Sequence, residues 1–130
     1  MYNPEHLLRI AEQARNNAYC RYSGFAVGAA LVTESGIIYT GCNIENASYP
    51  AGICAERVAF GKAISDGHTK FRAIAISGAQ KGKQAEVPCS PCGMCRQFMS
   101  EFCQDDFQII LAEDKIYLMK DLLPVRFDFR

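Results

Sequence analysis

Four cysteines and one glutamate in this sequence have the types and spacing that chemistry requires. The stretch "PCSPCGMC" sets Cys89, Cys92 and Cys95 three residues apart, and "GICAERVAF" sets Glu56 two residues after Cys54. Zinc binds thiolates tetrahedrally, and a C-x-x-C pair at a turn or helix start brings two sulfurs to one ion. The spacing permits Cys89 with Cys92 or Cys92 with Cys95. Pro91 favours a chain start, and residues 92 and 95 then lie on one face of the helix continuing through Arg96, Gln97 and Phe98, which makes them the better pair. Two thiolates there also face the positive end of the helix dipole, which lowers a thiol pKa.

A third ligand must come from elsewhere, and Cys54 offers it. In mid-helix, residues two apart point about 200° from each other, so Cys54 and Glu56 do not share a site there. At a helix N-terminus they do, because side chains lean back toward that end, and Gly52 places the helix start in the right position. Three protein ligands with an open fourth position make a catalytic zinc; four make a closed structural one. On spacing alone, a closed site of Cys54, Cys89, Cys92 and Cys95 stays open as an alternative, as do unmetallated core cysteines.

The elements that would position these residues follow from periodicity. Pro4, Leu7, Leu8, Ala11 and Ala14 predict a helix over about 4–18. "FAVGAALVTESGIIYTGCNIEN" predicts a hairpin turning at Glu34-Ser35-Gly36. "GICAERVAFGKAISDG" predicts a second helix between Gly52 and Gly67, with Cys54, Val58 and Gly61 at helical spacing. After it come a strand in "FRAIAISGA", a helix in "CRQFMSEFC", strands in "FQIILAE" and "KIYLM", and a short helical turn before an aromatic end in "KDLLPVRFDFR". The order helix, strand, helix, strand from residue 54 onward predicts parallel pairing joined to an antiparallel hairpin, in a mixed sheet covered by helices. No linker, low-complexity tract or repeat divides the chain, which reads as one domain over 1–130.

Composition bounds the function. The 130 residues are 49% hydrophobic, and 14 basic residues balance 14 acidic ones, so the totals carry no electrostatic footprint for nucleic acid or anionic membrane. Runs such as "FAVGAALV" fall short of a membrane span, and "MYNPEHLLRIAEQARNN" is amphipathic, unlike a signal peptide. A cytoplasmic address is expected. The odd count of seven cysteines fits reduced thiols, with Cys20, Cys42 and Cys103 as small buried hydrophobes. His6 and His68 have no ligand spacing.

At this point the residues resemble a family. "CAE" followed by "PCGMC" is similar to the zinc-dependent cytidine deaminases, whose general pattern is a Cys or His before x-E and then P-C-x-x-C. "YSGFAVGAALV", "TGCNIENASYPAGICAER", "SPCGMCRQ" and "LLPVRF" extend the likeness over nearly the whole chain, toward the small homotetrameric members. The resemblance implies a three-layer α/β/α sandwich with a mixed five-stranded sheet and one Zn²⁺ per subunit, held by Cys54, Cys92 and Cys95 with Cys89 outside. It implies hydrolytic deamination of cytidine and 2'-deoxycytidine in pyrimidine salvage, with zinc-activated hydroxide attacking C4 and Glu56 shuttling protons.

It further implies that Asn43 and Glu45 bind the ribose, that Phe25 packs against the pyrimidine, and that Ala55 touches substrate. Ala47, Tyr49 and Phe127 would reach a neighbouring subunit's substrate in a homotetramer with shared sites. Zinc with three thiolates carries a net negative charge, which weakens it as a Lewis acid. Arg57, three residues after Cys54, is expected to offset this by hydrogen bonding to a thiolate. Arg21 stands where the family often has Pro. A blasticidin-type antibiotic nucleoside deaminase shares "SPCGMCR", although "NIEN" favours an unmodified ribose. A non-enzymatic zinc-braced interaction domain would need the closed four-sulfur site and leave Glu56 idle. A polynucleotide deaminase would need a phosphate track that the balanced charge does not offer.

Overall fold

The computed structural model describes residues 2–129. The first helix, α1 (Pro4–Ala14), starts where Asn3 Oδ1 accepts the N–H groups of Glu5 at 2.9 Å and His6 at 3.3 Å, with Pro4 in the first turn. The stretch expected to be helical to residue 18 tightens into a 3₁₀ turn at Arg15–Asn17. Strands β1 (Phe25–Thr33) and β2 (Ile38–Cys42) form the expected hairpin. Helix α2 (Ala55–Ser65), strand β3 (Phe71–Gln80), helix α3 (Gly93–Phe102), strands β4 (Gln108–Ala112) and β5 (Lys115–Leu118), and the short helix α4 (Met119–Leu122) complete the chain.

The sheet runs β2-β1-β3-β4-β5. β1 is antiparallel to both neighbours, β3 and β4 are parallel, and β5 returns antiparallel to β4, so the sheet is mixed as expected. Its faces are covered separately. Ala30, Val32, Ala73, Ala75 and Ile110 pack under Leu7 and Ala11 of α1. The alternate residues Ala29, Leu31, Ile74, Ile76 and Ile109 pack with Ala59, Phe60 and Met99 of α2 and α3. A strand buried on both faces reads as a continuous apolar run, which is why "FAVGAALV" and "AIAIS" lack polar alternation.

Two glycines let the layers close. A Cβ on Gly28 would stand 1.9 Å from the Ala11 carbonyl oxygen, so β1 and α1 touch through backbone. A Cβ on Gly41 would stand 2.4 Å from the Ala55 oxygen and 2.6 Å from the Ala59 nitrogen, so the first turns of α2 lie flush on β2. This contact explains the face α2 presents: Ala55, Ala59, Phe60 and Ala63 are fully buried, whereas Val58 and Gly61, aligned with Cys54 in the sequence, are only half-buried. Cys54 itself precedes the helix as its N-cap. The Phe60 ring packs against Phe71 at 4.8 Å and Phe98 at 5.9 Å, tying α2 to α3.

All seven thiols are free; Cys20 and Cys103 are buried and Cys42 is half-buried. Among the described residues no helix is long and apolar enough to cross a membrane.

Candidate active site at two helix tips

The N-termini of α2 and α3 meet, and each is introduced by a cysteine. Cys54 and Cys92 are the N-cap residues, both with extended backbone, and Cys95 lies in the first turn of α3. Neither N-cap side chain bonds its own helix, so both sulfurs are free to turn toward a common point beyond the helix ends. The three Sγ atoms lie within 4.8 Å of one another, and they form the metal-capable group among the described residues. Thiolates bound about 2.3 Å from a tetrahedral zinc stand roughly 3.8 Å apart, so the cluster fits that ion with little adjustment. Sulfur-rich ligation also favours zinc over the hard, oxygen-seeking cations.

The sulfurs are already polarised. A hydrogen bond from Cys95, then others from Arg57 and Cys92, pull the Cys54 thiol down to about 5 despite its burial. Cys95 is held far above the ordinary thiol value because it donates to Cys54 and is buried. Zinc binding requires the thiolate form and would displace the proton that Cys95 donates to Cys54. Arg57 Nη2 donates to Cys54 Sγ across 3.8 Å, while its Nε is buried without a hydrogen-bond partner.

Glu56 is 5% exposed at the start of α2. Burial pushes its carboxyl up to about 7, the charge on Cys54 adds to the rise, and Arg57 and a hydrogen bond with Cys95 oppose it. A carboxyl that titrates near neutrality beside a metal-capable cluster can both take and give a proton.

Cys89 takes no part in the cluster. It packs on the sheet, where a Cβ on Gly78 would meet its Sγ at 2.7 Å and the Phe25 ring at 3.0 Å. Burial pushes its thiol up to about 11. The closed four-sulfur arrangement is thus not formed. The histidines also stand apart: His68 packs on Tyr39 at 5.6 Å, and His6 is exposed on α1.

The loop after β2 holds the remaining candidates. Asn43 Oδ1 accepts the Val27 N–H at 2.8 Å, and its Nδ2 donates to the Phe25 carbonyl at 2.9 Å. Glu45 Oε1 accepts the N–H groups of Tyr22 at 3.0 Å and Ser23 at 3.1 Å, and Oε2 accepts the Ser23 hydroxyl. These bonds hold the Glu45 carboxyl below its usual range, with the Ser23 hydroxyl contributing most. Phe25 is 37% exposed and Tyr49 78% exposed, and Ala47 is exposed on the same loop. Tyr22, Ser23, Glu45, Asn46, Tyr49 and Gly52 enclose a recess of about 370 Å³.

Ala55 has its side chain fully buried against β2, because Gly41 admits it there, so what it can offer a ligand is its backbone at the first position of α2. Phe127 is tied to α3, 69% exposed, with its carbonyl accepting Gln97 Nε2 at 3.1 Å. Arg21 leaves the local turn intact: the Gly24 N–H reaches the Cys20 carbonyl at 2.7 Å, and the guanidinium lies over Tyr22 at 5.4 Å.

Sequence reasoning missed two supports. Arg96 Nε donates to the Pro91 carbonyl at 2.9 Å and Nη1 to Leu122 at 3.0 Å, bracing the residue that precedes Cys92. Its place directly after Cys95 was the available signal. Ser23, described above, was visible only as part of "YSGF".

Comparison with known proteins agrees with this arrangement. Residues 1–111 match the family described as "Cytidine and deoxycytidylate deaminase zinc-binding region". A cytidine deaminase of Sporosarcina psychrophila is 48% identical over 111 residues, 85% of this chain and 78% of the relative. The crystal structure of cytidine deaminase from Burkholderia pseudomallei superposes with a TM-score of 0.86 at 40% identity, covering 97% of this chain and 100% of that one. A blasticidin-S deaminase of Bacillus cereus is more distant, 31% identical over 106 residues, 78% of this chain and 76% of the relative.

Proposed function

Because this chain belongs to the cytidine and deoxycytidylate deaminase zinc-binding family, we propose that it hydrolyses cytidine and 2'-deoxycytidine to uridine and 2'-deoxyuridine, releasing ammonia in pyrimidine salvage. The observation that carries the reading is the triangle of Cys54, Cys92 and Cys95 sulfurs with the buried Glu56 carboxyl beside it.

In this reading the three thiolates hold one Zn²⁺ and leave a fourth position without a protein ligand. Zinc bound there supplies the Lewis acidity that makes water a nucleophile near neutral pH. Glu56 accepts one proton from the attacking water and gives it to ring N3, then takes the remaining proton from the new C4 hydroxyl and gives it to the amino group, which departs as ammonia and leaves the C4 carbonyl of uridine. Its buried position suits it to relay protons rather than to pair with a cation. Arg57 supports the thiolates by hydrogen bonding to Cys54, offsetting their negative charge.

Asn43 and Glu45 receive the ribose hydroxyls, and Phe25 offers its exposed ring to the base. Ala47, Tyr49 and Phe127 complete a neighbour's site in a homotetramer. The exposed apolar surface of Tyr49, Met94, Val125, Phe127 and Phe129, between 64% and 98% exposed, supports an oligomer that covers it. Residues 1–130 act as one domain, in the cytoplasm.

The test is an ultraviolet assay of cytidine, with blasticidin S as a competing substrate, on wild-type and Glu56→Gln protein, plus zinc analysis of both. Full zinc in both proteins, with cytidine turnover only in the wild type, supports the reading. A wild type that holds zinc and leaves cytidine intact overturns it, and faster turnover of blasticidin S reassigns the substrate.

A further inference from the structure

We propose that Ser23 is a positioning residue for sugar recognition: its hydroxyl joins the Glu45 carboxylate to the Phe25 backbone and fixes how Glu45 meets a ribose hydroxyl. The inference rests on the proposed assignment of Glu45 to the ribose and extends it to a residue outside the substrate contacts.

A serine hydroxyl has one donor and two acceptor lone pairs. Here the donor goes to Glu45 Oε2, and Oγ accepts the Phe25 N–H at 3.0 Å. The direction of the first bond is not in question, because an ionised carboxylate only accepts. Tyr22 N–H and Ser23 N–H occupy Glu45 Oε1. A carboxylate offers about four acceptor sites, so three bonds leave one, on Oε2, in a direction that the Ser23 hydroxyl sets. Glu45 is thereby specialised to accept one hydroxyl hydrogen.

The same short segment fixes the other contacts. Asn43 spends Oδ1 on Val27 N–H and one Nδ2 hydrogen on the Phe25 carbonyl. Phe25, the ring offered to the base, is therefore held at its N–H by Ser23 and at its carbonyl by Asn43. Ser23 is the covalently short link between base platform and sugar reader. It is also exposed, outside the core, so a change there acts on this network rather than on packing.

The experiment compares the zinc-loaded wild type with Ser23→Ala, Ser23→Thr and Glu45→Gln on cytidine and on 2',3'-dideoxycytidine, which lacks the hydroxyls Glu45 would read. Ser23→Ala is expected to raise KM for cytidine about tenfold with kcat little changed and to raise KM for dideoxycytidine far less, because Asn43 still holds Phe25 at its carbonyl, with Ser23→Thr restoring the wild-type ratio. Equal effects on both nucleosides, or no effect on either, overturn the proposal. If Glu45→Gln fails to separate the two substrates, the sugar assignment falls and the role of Ser23 with it. A wild type inactive on cytidine sinks the deaminase reading itself. These failures are distinguishable because each is read from a different protein in the set.

Discussion

Arg57 reaches the sulfur of Cys54 from three residues further along α2, with Nη2 at 3.8 Å and Nε sealed from solvent without a partner. Holding an unpaired polar atom in a buried position costs free energy, which a structure tolerates when the rest of the group does something else. Here the guanidinium faces the cluster that would bring three thiolates together. A dication with three thiolates has a net charge of minus one, and the guanidinium returns the assembly to neutrality. Arg57→Gln keeps a donor without the charge and is expected to fold and bind zinc while turning over cytidine about 10- to 100-fold more slowly. Zinc content and kcat are the measurements; unchanged kcat at full zinc occupancy refutes the charge argument.

Glu56→Gln removes the titrating group but keeps its size and hydrogen-bonding reach. Because Glu56 is not among the sulfur ligands, its zinc content should equal that of the wild type. Turnover is expected to fall at least about 100-fold, the scale of a lost general acid and base. Loss of zinc together with activity would show that the carboxyl braces the metal instead.

Cys89→Ala is expected to keep one zinc per chain and nearly all activity. Its sulfur is turned toward Gly78 and lies outside the Cys54, Cys92 and Cys95 cluster, so it lacks the position of a ligand. The cost is a small loss of packing, about 1 kcal/mol, measured by denaturant unfolding. A protein that loses its zinc on this change would restore the four-sulfur reading.

Gly41→Ala tests how the sheet sets the site. The new methyl would collide with the backbone of Ala55 and Ala59, which no rotamer change relieves. Overpacking of this kind costs about 1–3 kcal/mol or more, and here it displaces the helix start that carries Cys54. Lower zinc affinity together with a lower melting temperature is expected; a variant with wild-type values for both would mean that α2 is free to slide on β2.

Arg126→Ala tests the C-terminal tail. Arg126 Nη1 caps α3 by donating to the carbonyls of Cys103 at 3.0 Å and Ser100 at 3.4 Å, and Nη2 pairs with Asp105 at 2.7 Å. That clamp holds the segment bearing Phe127 against α3. Cleavage after Phe127 by a limiting amount of chymotrypsin is expected to become several-fold faster in the variant, with the rest of the chain resistant. Equal cleavage rates would show that Gln97 alone holds the tail.

Much of the fold could be read locally. The Asn3-Pro4 start of α1, the hairpin turning before Ile38, and the alternation of helices and strands after residue 54 each depend on short-range rules, and all appear in the structure. Faces were harder to assign. The stripe Cys54, Val58 and Gly61 shares a helix side, yet α2 turns Ala55, Ala59 and Phe60 inward, because the missing side chain of Gly41, far away in sequence, opens the space that receives them.

The sequence by itself determined which residue types were available: thiols at helix starts, a carboxyl two residues from one of them, and polar groups in the loop after β2. It also determined that Cys54 and Glu56 are compatible only at a helix tip. Its helix signals favoured Cys92 with Cys95 but left open whether Cys89 joined them in a closed four-sulfur site, since spacing along a chain limits local geometry but does not say which helix ends converge. Tertiary packing decided that. By laying α2 and α3 on one face of the sheet, it brought Cys54 to Cys92 and Cys95, turned Cys89 onto Gly78, and enclosed Glu56 deeply enough to lift its carboxyl to about 7. Burial, charge and proton affinity depend on neighbours distant in sequence, and only the folded chain supplies them.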